Sequence, residues 1–76
     1  MDRVADALAQ GVVRVWHEAD GWGVIMSPAT PGGCLVLESA LDMHALDTLR
    51  VGQRVAFTWE ATDHAEYTHR AVRVRP

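Results

Sequence analysis

The feature that most constrains the fold is the division of the chain, after Gln10, into short β-type runs separated by turn residues. GVVRVWHE (11–18) is rich in valine, and WGVIM (22–26) follows it after a connection that contains Gly21. SPATPGG (27–33) is too rich in proline and glycine to continue a strand, and it precedes CLVL (34–37). These runs predict a meander of three strands, in which Gly21 supplies the positive φ of the first hairpin turn.

Two more runs complete the pattern, RVAFTWE (54–60) and HRAVRVRP (69–76). Both alternate between apolar and other residues, as half-buried strands do. The residues expected to face the core are Val55, Phe57, Trp59, Val72 and Val74. Residues 39–53 between the third and fourth runs carry apolar side chains compatible with a short helical turn, which Gly52 ends. Five short strands with one long connection predict a small all-β barrel.

The chain length of 76 residues allows one small domain. Residues 11–76 contain all five predicted strands and are taken as that domain. Residues 1–10 form an amino-terminal extension in which Val4, Ala7 and Leu8 have the i, i+3, i+4 spacing of a weakly amphipathic helix. An isolated helix of this length is marginal in water, so a short helix and a disordered terminus are both compatible with the extension.

Composition excludes several classes of protein. Hydrophobic residues make up 49% of the chain, which indicates a folded domain and not a disordered one. The net charge is -3, so nothing draws the chain as a whole towards phosphate or anionic lipid. The single Cys34 allows no internal disulfide, no apolar run approaches the ~20 residues of a membrane span, and the amino terminus lacks a signal-peptide pattern. These features favour a cytoplasmic protein.

Three segments resemble bacterial cold-shock proteins, in family order and spacing. GVVRVWHEADGWGVI (11–25) is similar to the opening G-K-V-K-W-F-N-x-x-K-G-F-G-F-I of that family. SALDMHALDTLRVGQRVAFTWE (39–60) matches S-A-I-x-x-x-x-F-K-T-L-x-x-G-Q-x-V-x-F-x-x-E without a gap, and RAVRVRP (70–76) resembles Q-A-x-N-V-x-P. The resemblance covers residues 11–76. It implies a five-stranded antiparallel Greek-key barrel of the OB type, with a short helical turn between strands three and four.

The resemblance also implies binding of single-stranded RNA or DNA, by stacking of bases on aromatic side chains of the first three strands beside a basic margin. Most of those aromatic residues are replaced here, and Asp20 and Glu38 stand where the family has a lysine and a phenylalanine. Trp22 is the retained stacking residue, and the glycines on either side of it leave room for a flat ligand. The nucleic-acid-binding positions carried over are Arg14 as a backbone contact, Trp22 for stacking, and Trp16, Val24, Leu35 and Leu37 as apolar surroundings.

Alternation along the strands predicts an exposed apolar patch around Trp22. Ile25, Cys34 and Val36 are expected to point into the barrel, and their neighbours to point out. Leu46 occupies the aromatic position of the long connection and is added to the patch. The members of this apolar patch are Val15, Trp22, Val24, Leu35, Leu37 and Leu46. A patch of this kind indicates a ligand, a partner or a covering segment. Nucleic acid, another protein or second copy of the chain, and the amino-terminal residues Val4, Ala7 and Leu8 all remain possible occupants.

No residues form a recognisable catalytic or metal-binding pattern. The four histidines, His17, His44, His64 and His69, lack metal-ligand spacing, and no nucleophile has a histidine and acid partner pattern. We therefore expect a protein without enzymatic activity, metal or cofactor. The leading hypothesis is atypical, weak binding of single-stranded RNA or DNA. The alternative is a protein-interaction or homodimerisation module that uses Trp22, Leu35 and Leu37.

Two further segments are left open by the sequence. The carboxyl-terminal run carries the one basic cluster, formed by Arg70, Arg73 and Arg75. This cluster is compatible with guidance of a phosphate backbone and equally with a solvated row of charges. The loop 61–69 is longer than its counterpart in the cold-shock pattern, so the side of the barrel that it borders is not predicted, and Tyr67 is its one aromatic residue.

Overall fold

The computed structural model, which describes residues 8–42, 46, 48–64 and 66–76, has five strands that close into a barrel in the order β1-β2-β3-β5-β4. The strands are β1 (Ala9–His17), β2 (Trp22–Met26), β3 (Cys34–Leu37), β4 (Arg54–Ala61) and β5 (His69–Arg75). One 3₁₀ helix, Glu38–Ala40, follows β3. The predicted all-β five-stranded barrel with a short helical turn between strands three and four is confirmed, and its closure is consistent with an OB-type barrel.

The strand bounds follow the sequence prediction closely. β2 and β3 match it residue for residue, whereas β1 begins at Ala9, ahead of the predicted domain boundary, and β4 continues to Ala61. Residues 1–7 of the predicted extension lie outside the described residues. So do residues 43–45 and 47 of the predicted helical turn, and the helix within the described part of that connection is confined to Glu38–Ala40.

One strand pairing departs from the antiparallel arrangement. β1 pairs with β2 and β4, β2 with β3, and β4 with β5, all in antiparallel fashion. β3 and β5 instead run parallel and meet at Leu35 and Arg70. Beyond that point the segment after the 3₁₀ helix takes the place of β3, because Leu41 bridges Val74 and the N–H of Asp42 donates to the Val74 carbonyl over 2.9 Å. This segment thus satisfies part of the edge of β5 that β3 leaves unpaired.

The core lies inside the barrel and is built from alternate residues of the strands. Ile25, Cys34, Val36, Phe57 and Val74 have no exposed surface, so the predicted inward direction of Ile25, Cys34 and Val36 is confirmed. Phe57 and Val55 occupy the core face of β4 as predicted, and Trp59 packs partly buried against the same cluster. The apolar residues of the long connection that join this cluster are Ala40, Leu41, Leu46 and Leu49.

A β-bulge in β5 reverses the predicted alternation at Val72. The sequence places Val72 in the core beside Val74, but Val72 is 48% exposed and Ala71 is buried instead. Arg73 lies opposite Thr58 and Ala71 lies opposite Trp59, so Val72 is the extra residue between two consecutive pairs. An extra residue shifts the side-chain period by one position, and this is why the prediction for Val72 is wrong.

The buried thiol of Cys34 gives the barrel a testable response to alkaline pH. Burial raises the pKa of this thiol from 9.0 to about 12. Above pH 9 the unfolded chain loses a proton that the native barrel keeps, so the contribution of Cys34 to stability falls as the pH rises from 9 to 12. We expect the stability of the wild-type protein to decrease between pH 8 and pH 10 by about 1 kcal/mol more than that of Cys34→Ala, as measured by urea denaturation. Equal pH dependence in the two proteins would contradict a buried neutral thiol.

Candidate nucleic-acid interface

Cross-strand pairing arranges two rows of side chains on the outer face of β1, β2 and β3. The row next to the hairpin turn contains His17, Trp22 and Leu37, which lie directly opposite one another on successive strands. Directly opposite residues have their side chains on the same face of a sheet, about 4.5–5.5 Å apart at Cβ. The second row contains Val15, Val24 and Leu35. The structure thus brings together five of the six residues of the predicted apolar patch.

The second row is largely covered, which corrects the prediction of an exposed patch. Val24 is 6% exposed and Leu35 is 4% exposed, whereas Trp22 is half-buried. A Cβ atom built on Gly33 would lie 3.0 Å from Val24 Cγ1 and 3.7 Å from Tyr67 Cε1. The loop between β4 and β5 therefore brings the Tyr67 ring back beside this row. Leu8, one of the residues proposed to cover the patch, is 50% exposed, and Val4 and Ala7 lie outside the described residues.

Leu46 does not belong to the outer face at all. It is 8% exposed and packs within the main core together with Leu41 and Leu49. The apolar side chains of the long connection pack onto the core, and Leu46 is one of them. Its predicted place in the patch is therefore wrong.

Trp16 also lies on the inner side of the sheet, away from Trp22. It is directly opposite Gly23, and its ring packs partly buried against the main core. Its indole Nε1 is buried and has no hydrogen-bond acceptor among the residues that the structure describes. The role of Trp16 in the apolar surroundings of a bound base stays a prediction, although its position opposite Gly23 turns its side chain inward, away from Trp22.

The two glycines beside Trp22 serve the barrel in different ways. Gly21 has φ of 73° in the hairpin turn, and its N–H donates to the His17 carbonyl over 2.8 Å. Gly23 is buried, and a Cβ atom built on it would lie 2.1 Å from the Val15 carbonyl oxygen and 2.7 Å from Trp16 Cε3. The turn geometry thus explains Gly21, and the packing of Trp16 explains Gly23. Neither glycine has to be explained by space for a ligand on Trp22.

His17 is a candidate site residue that sequence reasoning missed. Its ring lies against Trp22, with ring centroids 4.6 Å apart and planes inclined by 42°. The signal was present in the hairpin: a four-residue connection between residues 17 and 22 places these two side chains directly opposite each other. The exposed surface at this end of the face therefore contains two adjacent aromatic rings.

The charges around the two rings are mostly negative. Glu18 and Asp20 are exposed in the hairpin turn, and a Cβ atom built on Gly21 would lie 3.0 Å from Glu38 Oε1. The N–H of Glu38 donates to the Gly21 carbonyl over 2.8 Å, which holds this third acidic residue against the same turn. Arg14, the extra residue of a bulge between Val13 and Val15, is the exposed cation further along β1.

Comparisons with known proteins leave the family open: neither family models nor curated proteins give a match to this chain. Within the described residues, no group of three or more histidine, cysteine, aspartate or glutamate side chains is arranged to hold a metal ion. Across the same residues, the structure contains no helix of the length and apolarity needed to cross a membrane.

The inner position of Trp16 predicts a clear difference between two substitutions. Trp16→Phe keeps an aromatic ring against the core and removes a buried N–H that lacks an acceptor, and such a group costs about 1–3 kcal/mol. We expect Trp16→Phe to unfold at an equal or higher urea concentration than the wild-type protein. Trp16→Ala leaves a cavity, and we expect its free energy of unfolding to be about 3 kcal/mol lower than that of the wild-type protein. A large loss of stability in Trp16→Phe would show that the indole N–H has an acceptor after all.

Proposed function

We propose that this domain binds single-stranded RNA or DNA weakly, by stacking a base on the adjacent rings of His17 and Trp22. The observation that carries the proposal is the contact between these rings on the outer face, with centroids 4.6 Å apart. A base stacked on an aromatic side chain contributes about 1–3 kcal/mol, and every base offers a π-face, so little sequence preference is expected. The resemblance of residues 11–76 to cold-shock proteins supports the same ligand class.

The burial of the second row supports weak rather than tight binding. Val24 and Leu35 are almost fully covered, so they offer a ligand little apolar surface. One stacked base supplies less than the ~4.1 kcal/mol that corresponds to a dissociation constant of 1 mM. The acidic residues Glu18, Asp20 and Glu38 oppose a phosphate near the rings. Useful affinity therefore needs cationic contacts elsewhere on the barrel.

The alternative function is protein interaction or homodimerisation through Trp22, Leu35 and Leu37. Little apolar surface is exposed at these residues to support it. Leu35 is 4% exposed, and Leu37 is half-buried. The large apolar side chains that are exposed in the described part of the chain lie elsewhere: Leu8, Val12, Met26, Val51 and Val72. Concentration-dependent mass in analytical ultracentrifugation, lost in Leu37→Glu, is the result that would favour this alternative over nucleic-acid binding.

Titration with a mixed-sequence single-stranded oligonucleotide of about 12 nucleotides tests the stacking proposal. Trp16 and Trp59 pack against the core, so quenching of tryptophan fluorescence should come from Trp22. We expect Trp22→Ala to weaken binding by about ten-fold or more, as measured by anisotropy of a labelled strand at low salt. Trp59→Phe is the matched control and should bind like the wild-type protein. Absence of binding at high micromolar strand in low salt would contradict the proposal.

Neutralising the acidic residues next to the rings should strengthen binding. Asp20→Asn and Glu38→Gln each remove a negative charge beside the stacking surface, at positions exposed to solvent. An exposed charge pair is worth up to about 1 kcal/mol, so we expect an affinity gain of about two-fold or more for each variant at low salt. The same measurement at ~1 M salt is the control, because screening should remove the gain. An affinity that is unchanged at low salt would place the strand away from the hairpin turn.

A further inference from the structure

Exposed arginines are concentrated on the outer face of β4 and β5, apart from the acidic hairpin turn. Arg75 lies opposite Ala56, and Arg73 lies opposite Thr58. Arg54 precedes Ala56 by two residues on β4, so it is a diagonal neighbour of Arg75. Diagonal neighbours on adjacent strands are typically about 7–8 Å apart. We call Arg54, Arg73 and Arg75 the arginine row.

The arginine row is uncompensated within the part of the chain that the structure describes. All three residues are exposed, and none of them forms an ion pair with another described residue. Arg70 differs, because its guanidinium is paired with the Glu60 carboxylate. Of the cluster of three arginines seen in the sequence of β5, two are therefore free to bind an anion, and β4 adds a third.

An apolar groove of about 410 Å³ adjoins this row and crosses β1 towards β2. Arg54 and Ala56 line one side of it, and Met26 lines the other. Val12 lies between them and is 41% exposed, and Met26 is 39% exposed. The surface thus combines a line of cations with exposed apolar side chains, which matches a polymer that alternates phosphates with unpaired bases.

Arg14 continues this surface towards the stacking rings. It lines a second groove of about 340 Å³ on the far side of Val12 and Met26, together with Val51. Met26 and Trp22 stand at the two ends of β2, four residues apart, which is about 13 Å along the strand. A strand of a few nucleotides can therefore reach from Trp22 past Arg14 to Arg54, within the ~4–16 nucleotides that OB-type barrels occupy.

We infer that the arginine row and the adjoining groove bind the phosphodiester backbone of a single-stranded nucleic acid, the class of ligand resting on the proposed function. Guanidinium groups form bidentate hydrogen bonds with phosphate oxygens and remain charged at every accessible pH. The row lies on the outer face of β4 and β5, so it adds a surface to the one around Trp22. Because each phosphate neutralised on a single strand contributes about -0.7 to the slope of log K against log salt, the row should dominate the salt dependence of binding.

Charge-matched substitutions test this inference. Arg54→Gln, Arg73→Gln and Arg75→Gln each remove an unpaired cation, whereas Arg70→Gln changes the net charge equally but removes an arginine already paired with Glu60. The probe is the labelled oligonucleotide of about 12 nucleotides, titrated at several salt concentrations. We expect each row variant to reduce the magnitude of the salt slope by about 0.7 and the low-salt affinity several-fold. Arg70→Gln should leave both nearly unchanged, and urea denaturation checks that every variant is folded.

The outcomes separate this inference from the stacking proposal. Loss of binding in Trp22→Ala with unchanged salt slopes in the row variants would keep the stacking proposal and overturn the arginine row. Reduced slopes in the row variants with wild-type affinity in Trp22→Ala would do the reverse. An equal effect of Arg70→Gln and the row variants would overturn the inference, because only total charge would then matter. Displacement of the oligonucleotide by polyglutamate of equal charge, or self-association lost in the row variants, would assign the row to a protein partner and also overturn it.

Discussion

The outward direction of Trp22 depends on the contact between Trp16 and Gly23 on the inner side of the same two strands. The Trp16 ring occupies the space in which any larger residue at position 23 would place its Cβ atom. Since side chains alternate along a strand, the inward direction of Trp16 turns His17 outward, and the inward direction of Gly23 does the same for Trp22. One close packing contact therefore sets the outward direction of both rings of the proposed stacking surface, and the neighbouring Gly21 only completes the turn between them.

Regular alternation is the part of this fold that the sequence predicts well. The bounds of β2 and β3 follow from the turn residues that flank them, the inward positions of Ile25, Cys34 and Val36 follow from a period of two residues, and each agrees with the structure. Prediction fails at Val72, where a bulge adds one residue to β5. Nothing in the local pattern marks that extra residue, because it is defined by pairing with β4.

The sequence fails to predict the burial of Val24, Leu35 and Leu46 for a different reason. Their burial depends on segments that are distant in the chain. The loop that carries Tyr67 returns beside Gly33 and Val24, and the long connection places Leu46 in the core. The sequence shows that this loop is longer than its counterpart in the cold-shock pattern, but not which side chains it covers. The contact of His17 with Trp22, in contrast, depends only on local sequence. Counting the register across the four-residue hairpin connection is enough to predict it.

Net charge is a poor guide to this surface because the charges of opposite sign are separated. The acidic residues Glu18, Asp20 and Glu38 surround the hairpin turn, whereas the arginine row lies on β4 and β5. The Debye length at physiological salt is about 8 Å, which is less than the ~13 Å from Met26 to Trp22 along β2. A phosphate near Arg54 is therefore largely screened from the acidic turn, and the total of -3 does not prevent local attraction.

In the proposed complex with a single-stranded nucleic acid, the same separation makes the two contributions to binding depend on each other through the length of the strand. A base on Trp22 and a phosphate on Arg54 belong to one polymer, so the second contact forms at the effective concentration that the linking nucleotides set. An oligonucleotide too short to span the distance gains either stacking or phosphate contact, and each of these alone is weak. Beyond the spanning length the linkage adds affinity without any new contact, and further nucleotides contribute little. On the proposed mode of binding, the barrel would distinguish an extended single strand from a mononucleotide by the distance that the strand spans, with only one base stacked.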